Sequence, residues 1–135
     1  MTKFINLTNH PSNGWSEKQI NAAKMYGKKL TFDGKELQAD EKPNQIIDYS
    51  FPNIPPNATS RKVFDFVDYA FNKIVEMEDV NFVLLQGEFT FVVKLSALLK
   101  SSGYKVGCAT TERVSVENPD GTKTSKFEFV QFREY

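Results

Sequence analysis

Asn81-Phe-Val-Leu-Leu-Gln-Gly-Glu-Phe-Thr-Phe-Val-Val-Lys-Leu-Ser-Ala-Leu-Leu-Lys100 is the stretch whose reading decides the fold. A short apolar run, Phe82 to Leu85, meets a polar turn at Gln86, Gly87 and Glu88. A helical pattern then places Phe91, Val92, Leu95, Leu98 and Leu99 on one face. A second apolar strand, Val106 to Ala109, follows and opens into Thr110-Thr111-Glu112-Arg113. A glycine between a buried strand and a helix N-terminus is how α/β proteins offer backbone N–H groups to an anion. In an open α/β sheet, ligands bind at the carboxyl ends of the strands.

The same alternation extends in both directions. Upstream, Lys3 to Leu7 reads as a first strand that ends in the loop Thr8 to Trp15. Ser16 with Gln19 forms a capping box, Ile20, Ala23 and Tyr26 make an apolar stripe, and Gly27 stops the helix. The polar stretch 28–45, with a hairpin signal at Phe32-Asp-Gly-Lys, reads as an insertion in the main fold. Ile46 to Phe51 is the next strand, closed by Pro52, Pro55 and Pro56. Thr59 or Ser60 caps a helix with Val63, Val67, Ala70, Phe71 and Ile74 on its inner face. Downstream, Val106 to Val116 and Lys123 to Phe132 flank Asn118-Pro-Asp-Gly121, a type I turn with a glycine exit. The expected architecture is one domain, 1–135, built as a three-layer α/β sandwich. Its sheet is mostly parallel, with a C-terminal antiparallel hairpin.

Lys plus Arg and Asp plus Glu each number 17, so the formal net charge is zero. That balance argues against a surface for duplex nucleic acid but leaves room for a local anion pocket, and it permits self-association. No apolar run approaches about 18 residues, and the N-terminus lacks an apolar signal region, so no membrane association and a cytoplasmic location are expected. The single cysteine, Cys108, lies in an apolar strand; it is read as an inert core thiol, with a nucleophile as the alternative.

Three strand ends carry the polar residues of interest. The first offers Asn9, His10, Ser12 and Trp15. His10, the only histidine, suits general acid–base work or phosphate contact, or is a solvated loop residue. Trp15 stacks on a base or packs ahead of its helix. The second end is the Gln86-Gly87-Glu88 turn with Thr90, where Glu88 either binds a ribose hydroxyl or caps the helix. The third holds Thr110, Thr111, Glu112 and Arg113; the guanidinium suits a phosphate, or Glu112 and Arg113 simply face water or each other. The Gly87 turn matches neither the phosphate-loop nor the dinucleotide glycine spacing. No zinc spacing, Cys-x-x-Cys or nucleophile elbow occurs.

Asn6-Leu-Thr-Asn-His-Pro-Ser12, Gly87-Glu-Phe-Thr90 and Thr110-Thr-Glu-Arg113 resemble short motifs of the small CRISPR-associated Rossmann-like proteins, which include the stand-alone ring nucleases of type III systems. The resemblance implies a homodimer that binds a cyclic oligoadenylate across its two-fold axis and cleaves it without metal or cofactor. A ribose 2′-hydroxyl would attack the adjacent phosphate. It assigns His10 and Ser12 to phosphate contact or proton transfer and Arg113 to the countercharge. It also assigns Gly87 to backbone donation and Thr90 and Thr111 to hydroxyl contacts. Two other functions are compatible with the sequence. One is a non-catalytic cyclic-nucleotide sensor or sponge; the other is a protein-interaction module using an exposed Phe127, Phe129 and Phe132 hairpin.

Overall fold

The computed structural model describes residues 1–28 and 42–135. Among them, strands β1 (Lys3–Leu7), β2 (Gln45–Asp48), β3 (Val80–Leu85), β4 (Val106–Glu117) and β5 (Lys123–Glu134) form one sheet. Helices α1 (Glu17–Lys24), α2 (Ser60–Glu76) and α3 (Phe89–Ser101) connect them. The strand order is β2-β1-β3-β4-β5. All pairings are parallel except the last, between β4 and β5.

The two central strands read as apolar runs because both of their faces are covered. Ile5, Leu7, Val83 and Leu85 pack against Val63, Val67 and Ile74 of α2 and Phe91, Leu95 and Leu99 of α3. On the opposite face, Phe4, Phe82 and Leu84 pack with Ala23 of α1, flanked by Trp15, Tyr26 and Phe132. The result is the expected three-layer arrangement, a Rossmann-like α/β fold. Right-handed crossovers account for the sides: β1 to β2 runs one way across the sheet, the later connections run the other way, and so α1 lies alone on its face.

The helix starts follow their caps. Ser16 Oγ accepts from the Gln19 N–H at 3.2 Å and Thr59 Oγ1 from the Lys62 N–H at 3.1 Å. At the other end of α1, the chain enters Gly27 at φ +69°, where an added Cβ would run into the Asn81 amide. Asn81 Nδ2 donates to the Tyr26 carbonyl, and Asn44 Nδ2 donates to those of Ala23 and Tyr26. Buried Asn44 and Gln45 of β2 thus belong to the main fold, although the predicted insertion extended to them. Residues 29–41, including the Phe32 turn, lie outside the described residues.

The expected strand to Phe51 ends at Asp48 instead. Beyond it, Phe51 turns its ring edge-on to Phe91, with centroids 5.0 Å apart. β3 pairs with β4 only at Val83↔Val106 and Leu84↔Gly107. From Cys108 onward, β5 is the sole strand beside β4 among the described residues, so the hairpin runs out as a two-stranded arm. Its turn has the expected type I geometry: the Gly121 N–H donates to Asn118 O at 3.0 Å, and Gly121 takes φ +85°. A register shift between Thr110 and Thr111 leaves Val130 as the extra residue on β5. No described helix is long and apolar enough to cross a membrane.

Candidate functional site

In a 2-1-3 strand order the connections leave β1 and β3 toward opposite faces, which opens a crevice at their carboxyl ends. A cavity of about 760 Å³ lies there, on the α1 face. Thr8 and His10 line it after β1, Gln86 after β3, Trp15 and Lys18 at the start of α1, and Thr111 on the arm.

The loop after β1 is held by buried Asn6, whose Nδ2 donates to the His10 carbonyl at 2.9 Å and to Asp48 Oδ1 at 2.8 Å. Thr8 donates its hydroxyl to Asn6 Oδ1 at 2.8 Å and accepts from the His10 N–H at 3.1 Å. Trp15 Nε1 adds a bond to the His10 carbonyl at 3.0 Å, while its ring packs edge-on against Phe4. Both backbone polar groups of His10 are therefore clamped, and the residue itself is exposed at the cavity. Fixing a backbone while leaving a side chain free is how a fold positions a reactive group in advance.

Of the residues singled out from sequence at the strand ends, His10, Trp15, Gln86, Thr111 and Glu112 border the cavity. The others lie elsewhere, each for a local reason. Ser12 donates to Asp48 Oδ2 at 2.7 Å, and its N–H bonds Oδ1 of the same carboxylate. Burial pushes the Asp48 carboxyl up, but the bonds from Asn6 and Ser12 outweigh it and hold the pKa below the ordinary value. Asn9 is exposed and outside the cavity lining. Thr110 bonds the Gln131 backbone, donating to its carbonyl at 3.1 Å. Arg113 pairs with Phe127 further out on the arm and is exposed.

The Gly87 turn is on the wrong side of the sheet, because it leads into α3 on the face opposite α1. A Cβ on Gly87 would collide with the Phe51 ring, so the glycine serves packing rather than an open anion cradle. Glu88 is the α3 N-cap: Oε1 accepts from the Thr90 N–H at 3.0 Å and Oε2 from the Phe91 N–H at 2.8 Å. Thr90 accordingly offers its N–H to the cap. Only Gln86 reaches the cavity from this turn, with its Oε1 accepting from the Ala109 N–H at 3.0 Å.

The cap makes a testable prediction. The N–H of Phe91 holds the Glu88 carboxyl below its usual range. A depressed folded pKa stabilises above the unfolded carboxylate pKa and is lost as pH falls through the folded value. Glu88→Gln should cost about 1 kcal/mol at neutral pH and flatten the acid limb of stability, as read by urea unfolding from neutral to acid pH. An unchanged limb would remove the cap from that limb.

Sequence reasoning overlooked Lys18 of α1 and Lys126 and Glu128 of β5, and assigned Phe127 to a partner surface, yet all four line the cavity. The signal was present in the capping box, which puts Lys18 one turn from the β1 loop, and in the hairpin turn, which sets Thr111 opposite Phe129. The three aromatics of the hairpin also part company. Phe127 is 72% exposed, Phe129 is buried, and Phe132 packs on Phe4. They are not one exposed stripe.

The fold and cavity define a Rossmann-like α/β protein with a polar crevice at its sheet switch point. Residues 2–133 match the uncharacterized protein MJ1673 family, and the chain belongs to that family. No curated protein and no solved structure matches it.

Proposed function

We propose that this chain is a cytoplasmic homodimer that binds a cyclic oligoadenylate and opens the ring, in the manner of the stand-alone ring nucleases of type III CRISPR systems. The observation carrying this reading is the meeting of His10 with Lys18, Thr111 and exposed Phe127 around one crevice. Each suits a different part of an RNA. The Lys18 ammonium attracts phosphate, the Phe127 ring stacks on a base, and the Thr111 hydroxyl bonds an adenine or ribose group.

In the proposed reaction a 2′-oxygen attacks the neighbouring phosphorus and the bond to the 5′-oxygen breaks. The products are a 2′,3′-cyclic phosphate and a free 5′-hydroxyl. His10 takes the 2′-hydroxyl proton and returns it to the leaving 5′-oxygen. Lys18, at the start of α1, supplies the countercharge at the crevice, whereas Arg113, on the same side of the arm as Thr111 and Phe127, stands beyond the crevice lining.

Purified protein incubated with cyclic tetra- and hexa-adenylate in EDTA is expected to yield linear product. Neither binding nor product with any ring would end the proposal. His10→Ala should lower turnover about 10²- to 10⁴-fold; unaltered turnover would exclude the imidazole as the proton carrier. Recovery of intact ring from a stoichiometric complex would instead make the same crevice a sensor or sponge.

A further inference from the structure

The β4–β5 arm leaves one strand edge open. No described strand pairs with the outer side of β5, and a two-stranded ribbon of this kind is only marginally stable alone. The turn decides which backbone groups face outward. The Asn118 N–H donates to Thr122 O at 2.7 Å, making residues 118 and 122 a bonded pair. Bonded and non-bonded pairs alternate in an antiparallel ladder. Thr124, Lys126 and Glu128 therefore bond β4, whereas Ser125, Phe127 and Phe129 turn their N–H and C=O groups to the open edge.

The charges on the arm are also unbalanced. Glu112 stands directly opposite Glu128, a like-charge pair that destabilises a hairpin. Among the described residues, neither glutamate nor Lys126 has an ion-pair partner.

We infer that β5 pairs antiparallel with β5 of a second copy about a two-fold axis through Phe127, joining two sheets into one. In this register Lys126 faces Glu128 of the partner subunit, and Glu128 faces the partner's Lys126. Two-fold registers centred on Ser125 or Phe129 bring no opposite charges together; the Phe127 register does so twice. The axis also falls on the most exposed aromatic of the arm and sets it against the partner's Phe127, an aromatic cross-strand pair. Directly opposed residues share a face. Both crevices thus open on the same side of the joined sheet, and each has the partner's Phe127 at its rim.

The inference rests on the proposed function only for the existence of a second copy, so the two fail separately. Sedimentation of the full chain measures it. Wild type should be a dimer, Lys126→Glu and Glu128→Lys should each weaken association about ten-fold, and the double exchange should restore it. Phe127→Pro removes an outward N–H without touching the bonds to β4, and should give a folded monomer by circular dichroism and sedimentation. A monomeric wild type, or a dimer indifferent to all of these changes, would overturn the interface, whatever the protein does to a cyclic oligoadenylate.

Discussion

Phe4→Ala should lose about 3–5 kcal/mol of folding stability, the range for truncating a fully buried aromatic. Phe4 is completely buried and touches four other rings, those of Trp15, Tyr26, Phe82 and Phe132. They come from the β1 loop, the end of α1, β3 and β5, so the space left behind borders four segments that cannot all close on it. Chemical denaturation measures the loss. The native emission of Trp15, the only tryptophan, should change in parallel because its ring rests edge-on against Phe4. A loss below about 1 kcal/mol would show that the cluster re-closes and that Phe4 is not its centre.

Asn6→Leu should cost about 2–3 kcal/mol although it nearly preserves volume. The substitution deletes the donor shared by the His10 carbonyl and Asp48, and the acceptor of the Thr8 hydroxyl. Thr8 is itself buried, so its hydroxyl loses the Asn6 acceptor where water has little access. If the proposed chemistry holds, ring cleavage should fall by more than the population of unfolded protein explains, since the clamp on His10 is loosened. Full stability in this variant would mean that the bonds made by Thr8, Ser12 and Trp15 suffice to hold the β1 loop.

Much of the fold was legible because its signals are local. The boundaries of β1, the capping box at Ser16, the α2 stripe from Val63 to Ile74 and the Asn118–Gly121 turn all follow from neighbouring residues. β2 was read too long because Tyr49 and Phe51 look like strand residues, while their contacts are with α2 and α3. The site was legible only in part. Periodicity shows that a residue is inward or outward, yet not which side of the sheet a crossover takes. For that reason Gly87, Glu88 and Thr90, next to Gln86 in sequence, are separated from the cavity by the sheet itself. The roles of Ser12 and Asp48 were equally hidden, since the bond between them spans two strand ends far apart in the chain.

The extra residue at Val130 has a consequence for how the hairpin tolerates change. A strand presents its side chains by parity, and Phe132 and Phe129 would have opposite parity in an unbroken ladder. With one residue set aside between them, both rings meet at 4.8 Å on the α1 side, and Phe127 follows. Deleting Val130 would therefore invert the outer arm, exchanging the lysine and glutamate side for the aromatic one while every residue type stayed in place. Substitutions in this segment should be readily absorbed, whereas single insertions or deletions should not. One residue serves as the frame in which the whole arm is read.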